Sequence, residues 1–247
     1  MTFKDLFSAQ SSDYARFRPT YPEALFAWLG SVAADHTCAV DVATGTGQAA
    51  LLLAPHFTRV VALDASAAQI AAAPARANVE YGVAPAEATG LPPASADLLT
   101  VAQAFHWLDQ ARFFSEAARV LRPGGVLAVW CYGLTHIAPA VDALIAHLYG
   151  DVLGSHWEPE RRSVEDGYRG VAFPFQPLVV PPFEMSADWD LAGLLGYLRT
   201  WSAWKAFVRA RGSDPLAALA PELARAWGDP AVPRPVRWPL SVHARRR

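Results

Sequence analysis

Between residues 37 and 132 the chain repeats one pattern: a short apolar, β-rich run, a small turn, then apolar positions at helical spacing. Runs at 37–43, 59–64, 79–83, 97–102 and 126–131 read as strands, and the segments 48–55, 67–75 and 110–121 between them read as helices. Alternation with short connections predicts repeated βαβ units, hence an α/β fold around a parallel sheet. The helix over 110–121 runs into Arg122-Pro123-Gly124-Gly125, where proline cannot continue a helix and glycine supplies a turn. Right-handed crossovers put every loop that follows a strand on one edge of the sheet, the edge at which ligands bind.

Outside this block the pattern changes. Residues 14–22 are aromatic and basic, and Pro19 and Pro22 keep them extended until a helix starts near Pro22 or Glu23. From 188 to 209, Leu191, Leu194, Leu195, Leu198, Trp201, Trp204 and Val208 recur at helical spacing and predict one amphipathic helix. Residues 177–185 and 235–243 read as late strands, the second with the alternation of an edge strand. The charge-dense stretch 158–169 reads as a surface loop near a pocket entrance.

Candidate chemistry concentrates at the first strand. Val40-Asp41-Val42-Ala43-Thr44-Gly45-Thr46-Gly47-Gln48 carries an apolar strand into a glycine turn, and the next strand ends in Asp64. Strand, glycine turn, helix and acid-terminated strand form a half-site for an adenosine cofactor, with Asp64 placed to take both ribose hydroxyls. Gly45-x-Gly47-x-x-Ala50 alone also satisfies the dinucleotide fingerprint. Charge separates the readings. Asp41 would repel a pyrophosphate, whereas the sulfonium and ammonium of S-adenosylmethionine would be attracted to it. The alternative for Asp41 is that it ties down the loop backbone.

Composition narrows the partners. In 247 residues, 53% hydrophobic and 18% charged, there is enough apolar surface for a large core, in one α/β domain or two small ones. A net charge of −2 and a pI near 6.4 give no broad basic field, so nucleic acid is an unfavourable partner and a small molecule a better one. Cys38 and Cys131 each sit in an apolar run and read as buried thiols in a reducing, cytoplasmic setting. No window reaches the ~20 apolar residues of a membrane span.

The motifs in order resemble the class I S-adenosylmethionine-dependent methyltransferases, in the methyltransferase type 11 group. Asp41 to Gly47 stands at that family's first motif, and Asp64 at the acid ending its second strand. Asp97-Leu98-Leu99-Thr100-Val101 matches its fourth strand, and the stretch from Arg119 to Leu127 matches the helix-turn-strand motif before its fifth. Residues 14–22, Gln103-Ala104-Phe105-His106-Trp107 and the helix containing Trp201 and Trp204 are similar to the trans-aconitate methyltransferase branch. One departure is Ala43, where the family commonly has glycine.

The resemblance implies a Rossmann-like, seven-stranded, mostly parallel sheet with helices on both faces and an antiparallel edge strand. It implies a single domain over residues 1–247, with a cap at 1–30, a cofactor-binding core at 31–132, and late strands at 133–247 carrying a helical, substrate-covering insertion around 186–228. Asp64 with Ala65 would hold the ribose, Asp41, Ala43, Gly45 and Gly47 the methionine part, Ala86 and Glu87 the adenine, and Gln103 the methionine side. Tyr14 and Arg18 would close over the cofactor, and Tyr21, Trp107 and Trp201 would contact the acceptor. His106 is the candidate general base, against a structural or substrate-contacting imidazole. The implied reaction is methyl transfer to a small-molecule acceptor such as a carboxylic acid oxygen. The residue patterns leave open an NAD-dependent oxidoreductase and a catalytically silent S-adenosylmethionine-binding module.

Overall fold

The computed structural model describes residues 19–247, so the lid candidates Tyr14 and Arg18 lie outside the described residues. Helix α1 (Glu23–Val32) leads into the alternation read from the sequence: β1 (Cys38–Val42), α2 (Gln48–Leu53), β2 (Arg59–Asp64), α3 (Ala67–Ala71), β3 (Val79–Val83), β4 (Ala96–Ala102), α4 (Gln110–Val120) and β5 (Leu121–Tyr132). These strands pair in parallel in the order β3-β2-β1-β4-β5. Strand β1 is buried at every position, as a strand covered on both faces must be. The Arg122–Gly125 turn is absorbed into the start of β5, with a register shift against β4 between Ala96 and Leu98. There Asp97 accepts the Cys38 N–H at 2.8 Å and pairs with the Arg122 guanidinium, fastening β4 to β1 and to the beginning of β5.

The second half supplies α5 (Pro139–His147), α6 (Arg162–Glu165), β6 (Gln176–Pro177), β7 (Phe183–Trp189), α7 (Leu191–Arg199), α8 (Ser202–Arg211), α9 (Leu216–Trp227) and β8 (Arg234–Arg246). Strand β8 runs antiparallel beside β5, and both β6 and β7 pair antiparallel with its far side. The sheet therefore has seven strand positions and eight strands. Pro181 and Pro182 lie in the gap between β6 and β7, and proline gives no N–H to a ladder.

Two expectations change here. The strand read over 235–243 as an edge is interior, because alternation reports which face of a strand is buried and not whether its two ladders are filled. The single helix expected over 188–209 divides. Asp188 belongs to β7, the Asp190 carboxylate caps α7 by accepting the Gly193 N–H at 2.8 Å, and the chain opens at Thr200-Trp201 before α8.

Two apolar cores cover the sheet. On one face Ala39, Ala62, Leu98, Ala128 and Trp130 pack with Phe26 and Leu29 of α1, Leu53 of α2 and the helices of the second half. On the other, Val40, Leu63, Leu99, Leu127 and Cys131 pack with Phe113, Ala117 and Val120 of α4 and with Phe105 and Tyr168. Among the described residues no helix is long and apolar enough to cross a membrane.

Candidate active site

The turn after β1 is built on positive backbone angles. Gly45 and Gly47 have φ of 59° and 86°, and Ala43 takes φ 52°, the left-handed region in which a Cβ is strained. Thr44 N–H donates to the Leu63 carbonyl at 3.0 Å, which lashes the turn to β2. A Cβ on Gly47 would run into the Tyr81 hydroxyl of β3, so glycine is required there by space as well as by angle.

Sheet register sets the two acids. Tyr81, Ala62, Asp41, Thr100 and Ala128 form one transverse row across β3, β2, β1, β4 and β5. In that row the Asp41 carboxylate is fully buried and accepts the hydroxyls of Thr44 at 2.5 Å and Thr100 at 2.7 Å. Burial pushes its pKa up to about 6, against the pull of those two hydrogen bonds. The Tyr81 hydroxyl is buried without a hydrogen-bond partner and lies close enough to Asp41 for its own pKa to be raised, by burial first and by that charge second. Asp64, at the end of β2, accepts the Gly45 N–H and the Ser66 N–H, each at 2.8 Å. A carboxylate offers about four acceptor positions, so two remain for hydroxyls of a ligand. Segments 38–53 and 60–70 contain no lysine or arginine.

These features fit S-adenosylmethionine: a glycine cradle, a buried acid, an orphaned hydroxyl over the turn and a carboxylate with spare acceptor capacity. They do not fit a pyrophosphate. The remaining cofactor candidates stand close by in the fold. Ala65 is half-buried directly after Asp64, Ala86 is buried, and Glu87 accepts the Asp109 N–H at 2.8 Å, tying the β3 loop to the start of α4.

The end of β4 opens on a second feature, an aromatic cavity. Gln103, at φ 55°, lines it while its amide exchanges hydrogen bonds with the Tyr132 backbone, donating at 3.1 Å and accepting at 2.7 Å. His106 and Trp107 line it from the 3₁₀ turn Phe105–Trp107, and Trp201 from the break between α7 and α8. Tyr21 is not among the lining residues; its ring packs edge-on to Trp130 at 5.6 Å, in the core.

His106 is buried, with Nδ1 2.9 Å from the Tyr168 hydroxyl. Burial first, and the positive charge of Arg161 second, hold its pKa down at about 3, so the imidazole is neutral at pH 7. Tyr168 is itself fully buried and takes φ 59°, a left-handed conformation unfavourable for a tyrosine, directly after Gly167, which adopts φ 58° freely.

The sequence reading passed over Tyr81, Tyr168, Trp157, Tyr197 and Arg161. The charged stretch expected as a surface loop is instead a 3₁₀ turn at Pro159–Arg161 followed by α6, and it walls the cavity. No local pattern marks these residues, since Tyr168 meets His106 across 62 positions of sequence.

Comparisons agree with this geometry. Residues 40–129 match the model of a family described as a methyltransferase domain. A Dictyostelium discoideum protein that carries the name of a methyltransferase, with no acceptor specified, is 34% identical over 229 residues, covering 91% of this chain and 87% of that one. A probable S-adenosylmethionine-dependent methyltransferase of Saccharomyces cerevisiae is 28% identical over 177 residues, with 65% of this chain and 60% of that one covered. A solved structure from Anaeromyxobacter dehalogenans, assigned as a type II methyltransferase, superposes with a TM-score of 0.88 at 51% identity, over 93% of this chain and 97% of its own.

Proposed function

The chain belongs to the class I S-adenosylmethionine-dependent methyltransferases, and from that premise we propose that it methylates a small-molecule acceptor, with a carboxylic acid oxygen as the favoured target. The observation that supports this reading is the cavity walled by aromatic rings at the end of β4, the strand that pairs with the acid-bearing β1, with Gln103 on its lining. When bound, S-adenosylmethionine supplies a methyl group on a sulfonium; a carboxylate oxygen forms the new C–O bond as the C–S bond breaks, leaving a neutral thioether with no proton to move.

The protein's work is then to align and to exclude water. Asp64 and Ala65 hold the ribose, Asp41, Ala43, Gly45 and Gly47 the methionine portion, Ala86 and Glu87 the adenine, and Gln103 the edge facing the acceptor. Trp107 and Trp201 form acceptor walls, while Tyr21 stays packed on Trp130 in the core. His106, neutral at pH 7, contacts the acceptor; a pKa held down at about 3 makes it a poor proton acceptor, which a carboxylate nucleophile does not need. In this reading residues 1–30 cap the cofactor, 31–132 bind it and 186–228 cover the acceptor, within a single domain. The near-neutral net charge favours small molecules over nucleic acid, and we place the protein in the cytoplasm.

The test is S-adenosylhomocysteine release across pooled small acids, amines and phenols. Turnover confined to acids is expected; turnover of amines or phenols with none on acids would remove the carboxylate assignment.

A further inference from the structure

Arg161 is held in an unusual way. Its guanidinium carbon lies 5.1 Å from the ring centre of Trp157 and 5.8 Å from that of Tyr149, and its Nε donates to the Tyr149 hydroxyl at 3.2 Å. Tyr149 is anchored in turn, donating to Glu165 at 2.6 Å. The guanidinium is therefore oriented by ring faces and by one of its five N–H donors, and it lines the cavity beside His106. Among the described residues it takes part in none of the ion pairs, which join Arg59, Arg119, Arg122, Arg199, Arg237 and His147 to acids. Glu158, on the same wall, instead accepts the Ser202 hydroxyl at 3.0 Å.

Glu158 lines the same cavity and Glu165 lies one hydrogen bond away through Tyr149, but neither forms an ion pair with this half-buried, pre-oriented cation, whose remaining N–H donors can take an anion. We propose that Arg161 is the residue that recognises the acceptor's carboxylate, and that the acceptors are flat, conjugated acids whose ring or chain lies against Trp107 and Trp201. This rests on the reading of the protein as a methyltransferase of carboxylic acids and names the substrate class of that site. One carboxylate oxygen on Arg161 leaves the other for the methyl group. The competing occupant of an aromatic cavity is a cation. Here the ring faces of Trp157 and Tyr149 already carry the protein's own cation and are closed to a ligand cation. The Arg161 charge lowers the pKa of His106 and opposes the rise at Cys131 and Tyr149, with Glu160 and Glu165 acting in the other sense at His106 and Tyr149.

The test uses the S-adenosylhomocysteine-loaded protein and titration calorimetry with benzoate, cinnamate and sorbate, each against its own amide, and with phenethylamine. At least one acid should bind about tenfold more tightly than its amide, as a charge-assisted hydrogen bond from the guanidinium to one carboxylate oxygen requires. Arg161→Gln should abolish that preference while leaving amide affinity and S-adenosylhomocysteine affinity unchanged, and Arg161→Lys should restore part of it. Acids that bind no better than their amides, a preference for phenethylamine, or an acid preference that survives in Arg161→Gln would each overturn the proposal. Acid binding that depends on Arg161 without methyl ester formation would support the anion site and overturn the esterification reading separately.

Discussion

The glycine-and-acid cleft after β1 and the aromatic cavity at the end of β4 are built from opposite materials. The cleft is backbone and acid: a turn with Gly45 and Gly47 at positive φ, Asp41 sealed in the sheet, and Asp64 held by two backbone N–H groups. The cavity is ring and base: Trp107, Trp157 and Trp201 around a neutral imidazole and a guanidinium. Burial acts on a titratable group in each, and with opposite sign, because it disfavours whichever form is charged. Asp41 is raised to about 6 and His106 is lowered to about 3. The cleft thus stores the cost of a buried negative charge, recoverable when a cationic ligand arrives, while the cavity keeps its histidine uncharged.

The comparison is broken most sharply at Asp64. Asp64→Ala should weaken S-adenosylhomocysteine binding by about 1–3 kcal/mol through lost charge-assisted hydrogen bonds, read by calorimetry. Unchanged affinity would detach the carboxylate from the cofactor. The acid response of the cavity comes next. A depressed histidine contributes stability that is complete above its ordinary value of 6.5 and is lost as pH falls toward 3, because the unfolded chain takes the proton first. Going from pH 7 to pH 5, His106 should therefore cost the fold about 2 kcal/mol, and His106→Gln should remove that loss in urea titrations.

Asp41 should respond in the reverse direction and somewhat less. A raised carboxyl contributes stability that is complete below its ordinary value of 3.8 and gone once pH passes about 6. Between pH 7.5 and pH 5 it should add roughly 1.4 kcal/mol to the unliganded protein, a gain absent from Asp41→Asn. Over the same range cofactor affinity should fall as the negative charge is neutralised, so opposite pH trends of stability and affinity are the signature to seek. The smallest effect belongs to Ala43. Relieving its φ of 52°, Ala43→Gly should raise the melting temperature slightly, by no more than about 1 kcal/mol of stability. A drop on that substitution would mean that the left-handed turn is not strained.

The two regions also differ in how much of them could be read in advance. Asp41, Gly45, Gly47 and Asp64 fall within one strand-turn-helix-strand unit, where the spacing of glycines and acids along the chain is the spacing in space, and the strands at 59–64 and 79–83 stand as read. The late region misled where two outcomes share one pattern. Apolar spacing from Leu191 to Val208 is compatible with one helix or with two interrupted at Thr200-Trp201, and only the interruption turns Trp201 into the cavity wall.

By itself, then, the sequence determined the βαβ order, the turn chemistry and the charge that favours a cationic cofactor, because each depends on contacts between near neighbours in the chain. Tertiary structure alone decided that β8 is interior, that Tyr168 holds His106 and that Arg161 lies across Trp157 and Tyr149 beside that histidine. The physical reason is distance along the chain: those contacts join the middle strands to segments dozens of residues later, and no local periodicity records which of the many possible closures minimises buried polar cost while filling the apolar space between them.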